Sequence, residues 1–261
     1  MIRALYTAST GMSGQQMAID TLANNLSNVN TTGYKQQRIE FQDLLYQTIK
    51  RPTVSDETIE PVGIQVGLGV KPCAITSLFT EGSLKETGKT TDVAISGQGF
   101  FKIEVPGYDD PLYTRDGSFQ IDASGQLVTA DGYKVVGVDA MDEGAYDVAI
   151  AEDGKVTYKI AGDDEEQEAG QIELAKFINP AGLEKVGKNL LMATDNSGEP
   201  IDWEPDDDNT TKLVPSYLES SNVQVVDEMV NLITAQRAYE FNSKVIQSSD
   251  EMLQTAANLR K

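Results

Sequence analysis

The chain has 261 residues, 39% of them hydrophobic, a formal net charge of −20, one cysteine and no histidine. A lone cysteine excludes an internal disulfide and a thiolate metal cluster, and lacking histidine removes the commonest general base and transition-metal ligand. Residues 104–208 hold 26 of the 41 acids and 7 of the 21 bases, a balance of −19 that leaves −1 for the rest. Near-neutral ends permit many copies to pack closely while the middle stays solvated, and no basic stripe is present for nucleic acid. Mean hydropathy is −0.33, and no apolar run approaches the ~20 residues of a membrane span. Met1–Thr7 opens no apolar signal-peptide core, so the chain is expected to stay in the cytoplasm or leave it without a cleaved signal.

From the N-terminus, Leu5, Met12, Ile19 and Leu26 recur every seven residues, with Ala8, Gln15, Leu22 and Val29 between them. Steps of three and four place them on one face, which predicts an amphipathic helix over 5–29. Gly11 and Gly14 each weaken that helix by up to ~1 kcal/mol relative to Ala, while admitting a close neighbour. The run Asn28-Val29-Asn30-Thr31-Thr32-Gly33 supplies its terminator.

Residues 47–70 contain Pro52, Pro61, Gly63, Gly67 and Gly69 and predict a connector with extended pieces. After it come short β-like runs at Asp92–Ile95, Phe100–Val105, Gly117–Ile121, Gln126–Thr129, Tyr133–Val138, Lys155–Ile160 and Gln171–Phe177. Asp116-Gly117, Asp131-Gly132 and Asp153-Gly154 are hairpin-type dipeptides between them, so the middle predicts a mostly antiparallel β-domain.

At the C-terminus Val225, Leu232, Tyr239, Ile246 and Leu253 repeat every seven residues beside a second row of Ala238, Val245, Met252 and Leu259. They predict a helix from about Asn222 to Leu259, roughly 55 Å long. Two adjacent apolar rows are wider than one partner helix needs, which points to packing both within the chain and against other copies. The fold class expected is α+β, with the terminal helices paired as a coiled-coil-like unit (1–30 and 219–261). A connector (31–75) and a central acidic β-rich domain (76–218) complete it. In a lone chain the stripes lack full partners, so the ends are expected to order as copies assemble.

No motif carries chemistry. Asp206-Asp207-Asp208-Asn209 and Asp163-Asp164-Glu165-Glu166 lack the spacing and central Gly of a calcium loop and read as solvated loops. Ser96-Gly97-Gln98-Gly99-Phe100 precedes a β-like run instead of a helix, so it reads as a bulge or tight turn. Cys73, beside Pro72 and Ala74, reads as a small buried apolar residue. Trp203 could anchor a loop or make a contact. Neither a catalytic constellation nor a cofactor or metal site is expected.

The terminal segments resemble the axial rod and hook proteins of the bacterial flagellum. The resemblance is carried by residues 5–47 and 217–253. The core motif spans Ala23–Lys35, with Asn24, Asn25, Asn28, Asn30, Thr31 and Gly33. Pro61–Val70, with Gly63, Gln65, Gly67 and Gly69, resembles the distal-rod branch of that family, as do residues 92–101, 113–119 and 171–198. Residues 201–214 depart from the family's Gly-rich approach to the closing helix.

The resemblance implies a structural subunit with no enzymatic activity, in a helical homopolymer that transmits torque from motor to hook. It implies export by the flagellar apparatus without a cleaved signal and a place in the basal body spanning the periplasm. The implied partners are copies of itself, proximal rod subunits, hook or hook-junction subunits and the ring bushing around the rod. Neither nucleic-acid binding nor direct membrane insertion is implied. The alternatives are a proximal rod or hook subunit, or a cell-wall hydrolase using a carboxylate pair in the β-domain.

Overall fold

A computed structural model describes residues 2–55, 58–60, 62–142, 144–160, 163–203 and 211–258. Leu259 and the acidic run Asp206–Asn209 lie outside the described residues. The fold is α+β, with a helix at each end and antiparallel β-structure between. The chain forms two compact units, one of Met1–Ser27, Gln37–Thr76 and Gln224–Lys261, the other of Asn28–Gln36 and Ser77–Val223.

The first unit holds both helices, α1 (Ile2–Ser27) and α2 (Val225–Asn258), packed against each other. At 1.5 Å per residue α2 is about 50 Å long. Neither helix is long and apolar enough to cross a membrane. Asp227 and Glu228 in the first turn of α2 suit the positive end of its dipole. That helix starts three residues later than the heptad pattern alone suggests. The side chain of Asn222 is committed elsewhere: its Oδ1 accepts from Gln36 N at 2.7 Å and its Nδ2 donates to Leu78 O at 2.8 Å. Between the helices run β1 (Gln37–Asp43), β2 (Tyr46–Lys50), β3 (Thr53–Ser55), β4 (Thr58–Glu60), β5 (Ile64–Gly67) and β6 (Val70–Ser77). They pair as two-stranded ribbons, β1 with β6, β2 with β5 and β3 with β4.

The second unit comprises β7 (Leu84–Glu86), β8 (Val93–Ser96), β9 (Phe100–Glu104), β10 (Leu112–Thr114), β11 (Gln120–Ile121), β12 (Leu127–Val128), β13 (Lys134–Val135) and β14 (Ala145–Ile150). It continues with β15 (Lys155–Ile160), β16 (Asp163–Gln171), β17 (Leu174–Lys176), β18 (Glu184–Gly187), β19 (Leu190–Met192), β20 (Ile201–Asp202), β21 (Lys212–Pro215) and β22 (Tyr217–Glu219). The main sheet runs β11-β12-β13-β9-β10-β19-β18, with β17 joining β9 to β20. β9 is covered on both faces: Phe101 and Ile103 enter the larger apolar core, and Phe100 enters a smaller one with Tyr113, Phe177 and Leu191. That two-sided burial explains the near-continuous apolar run Phe100–Val105.

Three expectations need correction. Asp116-Gly117 does not close a hairpin, because β10 and β11 are not neighbours in the sheet. Gly117 instead passes against β8, where an added Cβ would lie 1.7 Å from Val93 O. Cys73 is exposed, since in the β1–β6 ribbon Val70 and Pro72 are half-buried and the alternation turns residue 73 outward. Asp163–Glu166 lie in strand β16 rather than a loop, with Glu166 Oε1 3.6 Å from Lys159 Nζ. Of the two readings left open for Trp203, the anchor holds, since it joins the larger core.

Candidate assembly interface

Two contacts fix how α1 and α2 meet. A Cβ built on Gly11 would lie 3.0 Å from Asn242 Nδ2, and Asn25 Nδ2 donates to Glu228 Oε2 at 3.2 Å. The helices are therefore antiparallel, and the same register sets Ala18 level with Ala235. Gly11, Ala18 and Asn25 on one side thus meet Asn242, Ala235 and Glu228 on the other, in steps of seven.

The close seam is built from small and polar residues. Ala8, Gly14, Ala18, Thr21 and Asn25 are the buried positions of α1, and Glu228, Ala235 and Ser249 those of α2. Leu5, Met12, Ile19, Leu22 and Leu26 are only half-buried along its flank, as are Leu232, Tyr239, Ile246 and Leu253 on α2. Val225 is exposed at the start of α2, and Val29 lies beyond α1 in the following turn. The row Glu228-Ala235-Asn242-Ser249 was legible as a seven-residue repeat. An apolar search passes over it because its members are small or polar.

Asn25 fastens this seam to the connector. Its Nδ2 donates to Gln37 O at 2.8 Å and its Oδ1 accepts from Gln37 N at 2.9 Å, so one side chain satisfies both backbone groups of the first residue of β1. The connector touches α1 at two glycines. Gly69 has φ 121° and an added Cβ would lie 2.2 Å from Thr10 Oγ1; at Gly14 it would lie 3.1 Å from Phe41. Gly63 passes Lys50 O so closely that a Cβ would sit 2.6 Å away, while Gln65 and Gly67 pair with Thr48 and Tyr46 across β2–β5.

Asn24 is exposed on α1, and the remaining motif residues lie in the second unit. Asn28 and Thr31 close a turn, with Thr31 N donating to Asn28 O at 3.2 Å, and Asn30 is exposed. Gly33, at φ 67°, donates its N–H to Glu219 O at 2.8 Å, and a Cβ there would lie 2.7 Å from the Arg115 carbonyl carbon. Next to it sits a buried ion cluster that the sequence analysis missed. Lys35 Nζ contacts Glu219 Oε1 at 2.5 Å, and Arg115 Nη1 donates to Glu219 Oε2 at 2.9 Å, with the Glu219 side chain fully buried. Burial pulls the Lys35 ammonium below the ordinary lysine value, against the opposing attraction of Glu219. Only three-dimensional proximity joins residues 35, 115 and 219, so no local spacing announces them.

Large apolar residues of the first unit remain uncovered. Val226 (73% exposed), Met229, Val230 and Ile233 stand at i, i+3, i+4 and i+7 on α2, followed by Phe241 (64% exposed). On the helical wheel this stripe lies opposite the seam residues Glu228, Leu232 and Ala235. The β2–β5 ribbon and its approach add Leu45 (85% exposed), Tyr46, Ile49 and Ile64. Contiguous exposed apolar surface of this kind marks an interaction face. Among the described residues, no group of three or more Cys, Asp or Glu is placed to hold a metal.

Comparison with known proteins yields a consistent set. Three family models match: "Flagella basal body rod protein" over residues 5–35, "Flagellar hook protein FlgE/F/G D1 domain" over 94–158, and "Flagellar basal body rod FlgEFG protein C-terminal" over 214–259. The flagellar basal-body rod protein FlgG of Borreliella burgdorferi is 48% identical, with both chains fully covered. That of Agrobacterium fabrum is 46% identical, covering 96% of this chain and 97% of its own. FlgG of Bacillus subtilis is 38% identical, again over the whole of both chains.

Proposed function

The chain belongs to the FlgG family of flagellar basal-body rod proteins, structural subunits of the distal rod, and on that premise we propose how it assembles and works. Copies polymerise head-to-tail into a helical tube. The antiparallel α1–α2 pair acts as a coiled-coil-like inner element, and the second unit supplies the acidic outer layer. The tube works as a drive shaft carrying torque from motor to hook. Its subunits reach the periplasm through the flagellar export apparatus without a cleaved signal and meet proximal rod, hook-junction and ring components there.

The single observation that carries this reading is the second apolar face of α2. One face is taken by α1, yet Val226, Met229, Val230 and Ile233 are left open on the other. A heterologous contact on that face, repeated by a screw operation, gives an open filament rather than a closed ring. The seam within the chain is made of small and polar residues and buries little apolar area, so the helix pair is weakly held until neighbours cover its outside. Strong hydrogen-exchange protection is expected across 5–27 and 225–258 in assembled rods and weak protection in the lone chain. Equal protection in both states would overturn the coupling of folding to assembly.

The connector between α1 and β6 is proposed to bridge neighbouring copies and stiffen the shaft. Deleting residues 47–70 should give a more curved or flexible polymer, and an unchanged straight rod would count against that role.

A further inference from the structure

The large heptad residues of α1 and α2 converge on one side of the helix pair. On α1, Met12, Ile19 and Leu26 follow the seam residues Gly11, Ala18 and Asn25 by one position, about 100° further round the helix. On α2, Leu232, Tyr239, Ile246 and Leu253 follow Glu228, Ala235, Asn242 and Ser249 by four positions, about 40° further round. Because the helices are antiparallel, a forward turn on each leads to the same side of the pair. The connector lies on the other side. Gly14 stands about 40° behind Ala18, and a Cβ built on it would lie 3.1 Å from Phe41 and 3.8 Å from Val70. Both rows are therefore left half-buried along one shared flank, an apolar groove between two helices.

The shape and charge of this groove select its occupant. Two rows of heptad-spaced side chains offer holes to a third helix bearing apolar residues at i, i+3, i+4 and i+7, and they fit a period-two ribbon poorly. α1 carries no charge besides Arg3 and Asp20, so the groove suits a neutral surface rather than a charged one. Val226, Met229, Val230 and Ile233 meet both requirements, exposed at that spacing on the first turns of α2. α2 itself forms one wall of the groove, so its own outer stripe cannot enter it, and the occupant is a second copy.

We propose that the flank groove of α1 and α2 receives the Val226–Ile233 stripe of a second copy. This pairing rests on the reading of the chain as a polymerising subunit and names the surface that the stripe meets. Groove and stripe are different surfaces, so each copy offers one and accepts the other, the heterologous arrangement that extends a filament.

Disulfide trapping in assembled full-length chains tests the pairing. The exposed Cys73 is first removed as Cys73→Ser, and chains with that change alone act as carrier, so that tube formation does not depend on an altered interface. Ile233→Cys and one of Met12→Cys, Ile19→Cys or Leu26→Cys, each on a separate chain, are co-assembled with the carrier and oxidised. A disulfide needs Cα atoms within about 7 Å. At least one flank position should therefore give crosslinked dimer severalfold above the ribbon positions Ile49→Cys and Ile64→Cys. Tubes in which Ile233→Cys links to the ribbon instead, or to neither surface, overturn the groove assignment while leaving the polymer intact. A carrier that forms no tubes overturns the subunit reading, and the groove assignment with it.

Discussion

Asn25 and Glu228, separated by 203 residues in the chain, meet at 3.2 Å across the antiparallel helix seam. Asn25 is fully buried and Glu228 nearly so, and Asn25 simultaneously holds both backbone groups of Gln37. A buried polar contact of this kind sets register, since sliding either helix by a turn would strand both side chains without their partners. Asn25→Ala should cost about 3 kcal/mol, because it leaves Gln37 N, Gln37 O and Glu228 short of a partner in a dry site. Asn25→Asp should do worse by facing Glu228 with a like charge. Denaturant-driven disassembly and unfolding of rods built from the two variants check the order.

Gly69 is fixed by both conformation and space. Gly69→Ala must place a Cβ 2.2 Å from Thr10 Oγ1 at φ 121°, so a loss of about 2–4 kcal/mol is expected. Combining it with Thr10→Ala relieves the collision but not the backbone strain. The double variant should recover only part of the loss, as measured by thermal unfolding of assembled rods. Full recovery would show that space alone selects glycine there.

Glu219 joins two cations in the second unit. Glu219→Ala should be among the most damaging single changes, at about 3–5 kcal/mol, because Lys35 and Arg115 then stay buried without their carboxylate. Glu219→Gln keeps the shape and part of the hydrogen bonding and should lose less. Equal losses in calorimetry would mean that shape, not charge, is what the site needs.

Lys102 provides a pH-dependent test. Burial draws its ammonium down, but hydrogen bonds to Asp202 and Glu173 outweigh burial and hold it above the ordinary value of 10.5. A raised folded-state value means that the stabilisation is complete below about 10.5 and fades as the pH climbs through the folded-state value. Glu173 and Asp202 are partly solvent-exposed, so the stake is modest, and Lys102→Gln should lose about 1 kcal/mol at pH 7. The gap between the two proteins should close as the pH climbs past the raised folded-state value in denaturant titrations. A gap that widens there would reverse the assignment.

The α+β class was legible because the period of the apolar pattern changes from seven-residue repeats at the ends to short alternating runs between Gly turns. β15 (Lys155–Ile160) coincides with its expected run because it alternates cleanly. Other strands escaped notice. β10 is three residues long, and β18 is a wholly exposed edge, so neither bears an alternation that a window can register. In the helices, the large residues of each stripe drew attention while the buried line runs through Gly14, Ala18, Ala235 and Ser249. Close approach selects small residues, which a hydrophobic search discounts. The cluster of Lys35, Arg115 and Glu219 is a product of topology, and nothing in any one segment hints at it.

The account rests on the outer apolar stripe of α2 joining one copy to the next. Electron microscopy of purified full-length protein, alone and as the Val230→Asp/Ile233→Asp variant, tests this most directly. Straight tubes of uniform diameter are predicted from the native chain. The variant should form none while its second unit retains native unfolding behaviour, because the charges would have to be buried at the contact. Tubes formed equally well by the variant, or no tubes from the native chain, would contradict the account.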